Sequence, residues 1–111
     1  MPYLSVTTSI NIDEKISFIK NCSNLISELT NKSEQYVMVS LFDQTPMIFA
    51  KDQSPSCFIE LKSIGSLNPK IMSKEISNFI SKEIGIPINR IYISFEDIKA
   101  TNWAFNGRTF A

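Results

Sequence analysis

The chain repeats itself, and the repeat restricts the fold more than any other feature. A shift of 54 positions, which lays Thr30 on Ile84, places Cys22, Leu25 and Ile26 on Ile76, Phe79 and Ile80. It also places Val37, Val39, Ser40 and Leu41 on Ile91, Ile93, Ser94 and Phe95, and Leu4 on Phe58. Each half therefore reads strand, helix, strand. Right-handed crossovers would make each half a βαβ unit. Two such units sharing one sheet give an α/β two-layer sandwich, four strands with both helices on one face. At 111 residues the chain has the size of a single domain, residues 1–111.

The elements follow from local pattern. Residues 2–8 alternate Leu4 and Val6 against Ser5 and Thr7, a strand. Asn11 is the expected cap of a first helix, with Asp13 and Glu14 in its first turn. Ile12, Ile16, Ile19, Cys22, Ile26 and Leu29 give it an apolar stripe to about Thr30. Residues 36–42 form a second strand, apolar enough to be covered on both faces. Residues 47–50 form a short extended piece at an edge, and residues 56–63 a third long strand. Asn68 and Pro69 open a second helix with Met72, Ile76, Phe79, Ile80 and Ile84 on its stripe, and Gly85 stops it. Residues 90–95 form the last long strand. Asn106-Gly107 signals a hairpin in the tail.

The absences narrow the chemistry. The chain has no histidine and only the cysteines Cys22 and Cys57, which form no CxxC motif. No Ser-His or Cys-His pair and no histidine or cysteine metal cluster can be built from it. Three glycines make no phosphate cradle, so no cofactor is expected. A formal net charge of zero argues against a nucleic-acid surface. No secretory signal and no run of about 20 apolar residues is seen, so the expected location is the cytoplasm, off the membrane. Acid–base work falls to carboxylates, Lys, Tyr, Cys or a terminal amine. Pro2 fits the last of these: a small residue at position 2 permits removal of Met1, which would leave a free secondary amine.

This order of elements, with Met1-Pro2 at the head, resembles the macrophage migration inhibitory factor family of the tautomerase superfamily. The resemblance spans the chain. It is carried by Asn31-Lys32 followed by Gln35-Tyr36-Val37, by Ser63-Ile64-Gly65, by Arg90-Ile91-Tyr92-Ile93, by Asp97, and by the ending Asn106 to Thr109-Phe110-Ala111. It implies a homotrimer with a barrel-like centre and active sites at subunit boundaries. It implies Pro2 as base, Lys32 as the pocket lysine, Ile64 as a backbone donor, Tyr92 from a neighbouring subunit, and Tyr36 and Phe110 as pocket wall. The activity implied is keto-enol tautomerisation of small α-keto acids such as phenylpyruvate, with dopachrome-like compounds as surrogates. The sequence departs from the family at Ser94, where many members have asparagine, and at Phe105, often tryptophan. It departs again at Glu60, which replaces the second cysteine of the CxxC found in some members. The other reading is a non-enzymatic trimeric interaction or signalling protein on the same fold.

Overall fold

The computed structural model describes residues 1–111. Strand β1 (Tyr3–Thr8) leads into helix α1 (Lys15–Thr30), and strand β2 (Met38–Phe42) returns parallel to β1. Strand β3 (Cys57–Ser63), helix α2 (Pro69–Ile84) and strand β4 (Ile91–Asp97) repeat the unit, again with parallel strands. The units join through antiparallel pairing of β1 with β3, so the sheet order is β2-β1-β3-β4. A small hairpin, β5 (Ala104–Phe105) with β6 (Arg108–Thr109), follows in the tail. This is the two-layer sandwich of two βαβ units expected from the repeat.

The core lies between the sheet and the helices. Leu4, Val6, Ile59 and Leu61 supply the sheet side, and Cys22, Ile26, Ile76 and Ile80 the helix side; all are 0 or 1% exposed. Each fully buried isoleucine or leucine contributes on the order of 2 kcal/mol. Alternate residues face the other way. Tyr3, Ser5 and Thr7 of β1 stand beside Lys62, Glu60 and Phe58 of β3, and outside them are Met38, Ser40 and Phe42 of β2 and Tyr92, Ser94 and Glu96 of β4. No helix covers this second face.

Several boundaries differ from the sequence expectation. Helix α1 starts at Lys15, and Asn11 is not its cap. The Asn11 side chain bonds Asp13 and Lys15 instead, at 2.7 and 3.2 Å. The buried stripe is Phe18, Cys22, Ile26 and Thr30, four apart, which leaves Ile16 63% exposed. Residues 34–36 are a 3-10 turn, so β2 begins at Met38. That strand is an edge of the sheet, and within the single chain Met38 and Phe42 are exposed on the face that no helix covers. Residues 47–50 join no sheet; Phe49 only bridges Asp52 within its own loop. The hairpin turn is as expected: Asn106 and Gly107 both have positive φ, 54° and 81°. That is the combination the tight two-residue turn requires.

Candidate active site

Pro2 sits at the head of β1, between β2 and β3, and is almost fully buried. Its carbonyl accepts the Met38 backbone N–H at 3.1 Å, which extends the β1–β2 ladder and fixes the start of the chain. Beside it opens a cavity of about 630 Å³ whose wall is mostly apolar. Tyr3 and Met38 form its floor on the uncovered sheet face, and Lys62 stands at its β3 side.

The tail builds the opposite wall. The Ile98 N–H donates to the Ser63 carbonyl at 2.8 Å, and the Gly65 N–H donates to Asp97 Oδ1 at 2.9 Å. These bonds hold the end of β4 against the end of β3. A 3-10 turn at Ala100–Asn102 then swings the chain back over the head of β1. The Phe110 N–H donates to the Trp103 carbonyl at 3.1 Å, closing the hairpin segment on itself. Phe105 meets Tyr36 edge-on, with ring centroids 6.3 Å apart. Phe105 and Phe110 lie parallel at 6.2 Å. Trp103 completes this aromatic wall.

Helix α1 delivers Lys32. Asn31 ends the helix in the left-handed conformation, and the Lys32 N–H donates to the Ser27 carbonyl at 3.2 Å. Ser27 Oγ donates in turn to the Lys32 carbonyl. The Lys32 side chain is outside the cavity wall, yet its charge reaches the terminal amine. Burial first, and Lys32 second, lower the pKa of the amine at Met1. Both effects disfavour an ammonium ion.

The fold thus brings Pro2, Tyr36, Phe105 and Phe110 together, with Lys32 bordering them. Ile64 lies just past β3, two residues beyond Lys62 and outside the wall. Tyr92 and Ser94 are on the outer face of β4, away from this cavity; Tyr92 is 62% exposed and packs on Phe49 at 4.7 Å. Sequence reasoning missed Lys62 and Trp103. The run Phe58, Glu60, Lys62 marked an outward face of β3, but only antiparallel pairing with β1 puts Lys62 opposite Tyr3. No group of three or more His, Cys, Asp or Glu side chains is placed to hold a metal. No helix is long and apolar enough to cross a membrane.

Two βαβ units back to back, with an aromatic-walled cavity at the head of the first strand, define the class: the fold of the tautomerase superfamily. Comparison with known proteins narrows it. The family model described as macrophage migration inhibitory factor (MIF) matches residues 1–111. A macrophage migration inhibitory factor homolog of Brugia malayi is 36% identical over 114 aligned residues, covering 99% of each chain. Among solved structures, a homologue from Prochlorococcus marinus superposes with a TM-score of 0.93 at 36% identity, covering 98% of this chain and 99% of that one. The factor from Trichinella spiralis gives a TM-score of 0.92 at 28% identity, covering 97% and 99%. The chain belongs to the macrophage migration inhibitory factor family.

Proposed function

We propose that this protein is a keto-enol tautomerase for small enolisable α-keto acids of the phenylpyruvate type, with Pro2 as general base once Met1 is removed. The observation that carries the reading is the setting of Pro2: buried at the head of β1, against an aromatic-walled cavity, one residue from the Met1 amine, which burial and Lys32 hold below its ordinary pKa. With Met1 removed, the Pro2 amine would lie in these same surroundings, which favour the unprotonated form that a base in this reaction needs. Its lone pair takes a proton from the carbon next to the carbonyl, and the resulting enolate oxygen is protonated by a water molecule at the cavity mouth, whose hydroxide is neutralised when the Pro2 ammonium releases its proton to solvent. The reverse passage returns the proton to carbon. Lys32 holds the substrate carboxylate, and Tyr36, Phe105 and Phe110 exclude water from the enol.

The uncovered sheet face supports a homotrimer around a barrel-like centre. In that assembly Tyr92 and Ser94 of one subunit complete the cavity of the next, and the Ile64 backbone supplies a hydrogen bond to substrate. Protein with a verified N-terminal proline should convert the enol of phenylpyruvate to its keto form well above the buffer rate. Pro2→Gly, checked for correct processing, should lose turnover by at least ~100-fold, the usual contribution of a general base. Wild-type turnover in that variant would remove Pro2 from the mechanism and favour a binding protein on the same fold. A retained Met1 should act like the loss of Pro2, because an amide nitrogen has no basic lone pair.

A further inference from the structure

Lys62 is the only lysine in the wall of the Pro2 cavity, and no Asp or Glu shares that wall. It stands at the end of β3, directly opposite Tyr3 in the antiparallel ladder. It therefore flanks Pro2 from the β3 side, whereas Lys32 approaches from the end of α1. Glu60 and Glu96 share its sheet face, but it takes part in neither ion pair of the chain, Lys15–Asp43 and Arg90–Asp52. A partly buried lysine without an ion-pair partner, sharing a cavity wall with Tyr36, Trp103, Phe105 and Phe110, is a site for an anion, and its pull is stronger in such a cavity than in open water. Lys32 already accounts for the one carboxylate of a simple α-keto acid.

We propose that Lys62 is a specificity-determining residue that fits the cavity to acids with a second anionic group. The preferred substrate class is then a 2-oxo acid with a further carboxylate, its keto acid end at Lys32 and its distal end at Lys62. The reaction assigned to this class rests on the tautomerase reading above; the binding preference does not. The test therefore reads binding, with two acids that cannot enolise: cinnamate and 4-carboxycinnamate, titrated calorimetrically.

The wild-type protein should bind the diacid roughly tenfold more tightly than the monoacid, about the worth of one charge-assisted hydrogen bond. Lys62→Met should abolish that ratio, and Lys62→Arg should keep most of it. Lys32→Ala should weaken both acids by a similar factor. Because the ratio is read, a general weakening of the site cancels. Salt offers a check that needs no variant: the affinity of the diacid should fall more steeply with ionic strength than that of the monoacid. Equal affinities in the wild type, or a preference that survives in Lys62→Met, would overturn the proposal. Phenylpyruvate turnover, measured on the same preparation, reports separately on the tautomerase reading. Its absence would remove that reading and leave the affinity ratio to decide this one.

Discussion

At the scale of single residues, burial decides which groups can react. Burial, and after it the charge of Lys32, shift the Met1 terminal amine below the ~8 of an ordinary α-amino group, and Pro2 takes over these surroundings once Met1 is removed. In the processed protein the unprotonated Pro2 amine is the base, so turnover should rise with pH, with a midpoint below that value, and level off above the midpoint. Lys32→Ala removes one of the two lowering influences and should move the midpoint upward; a pH–rate profile of kcat/KM reads both effects. The cysteines show the opposite case. Burial pushes both Cys22 and Cys57 up to about 12. Neither is a thiolate near neutral pH, and thiolate is the reactive form. A thiol reagent at pH 8 should label neither until the chain is unfolded, and insulin reduction should not exceed that of a Cys57→Ser control. Prompt labelling of the native protein would contradict this account.

At the scale of elements, two long-range clamps hold segments that have little packing of their own. The approach to α1 is tied down by Asp43, far away in sequence. Its carboxylate accepts the Ile12 N–H at 3.0 Å and pairs with Lys15 at 3.0 Å. The Ile12 hydrogen bond is the larger cause of its lowered pKa, with Lys15 next. A carboxyl depressed in the folded state stabilises above its unfolded pKa, ~3.9, and loses that contribution as pH falls through the folded value. Asp43→Asn should therefore melt below wild type at pH 7, and the gap should close in strong acid. The second clamp is Arg90. Its guanidinium donates to the carbonyls of Phe49, Asp52, Ser54 and Pro55 at 3.0 to 3.2 Å, and lies 5.1 Å from the Phe49 ring centroid. Phe49 in turn supports Tyr92. Arg90→Ala should cost about 2 kcal/mol in urea unfolding, the scale of hydrogen bonds to a charged group. Arg90→Lys should recover only part, since a point charge cannot bridge four carbonyls.

At the scale of the molecule, the uncovered sheet face sets the expectation. Met38 is 64% exposed, Phe42 53% and Tyr92 62%, all on one face of a sheet whose other face is fully packed. Apolar side chains gathered on one face mark a contact surface. Sedimentation equilibrium at micromolar concentration should give a trimer, and Phe42→Lys should shift it toward monomer while the circular dichroism spectrum is kept. A stable wild-type monomer would remove both the trimer and the shared-site reading of Tyr92 and Ser94.

The sequence by itself determined the elements and their repetition. The 54-residue offset, the alternation of β1 and β3 and the four-residue step of α2 are local or periodic signals, set by which side chains must leave water. Pro2, Tyr36, Phe105 and Phe110 were legible as a group only through their match to a family pattern. Tertiary structure decided the rest. The start of α1 depends on Asp43 and Lys15, and no local pattern reveals a bond between Ile12 and a residue on the far side of β2. Antiparallel pairing of β1 and β3 brings Lys62 to Pro2; a parallel pairing of the same strands would have carried it to the other end of the sheet. The aromatic wall exists because the tail is tied back through Asp97, Ser63 and Trp103. Periodicity tells a side chain which face to take, whereas its neighbours there are chosen by strand direction and by hydrogen bonds between distant segments.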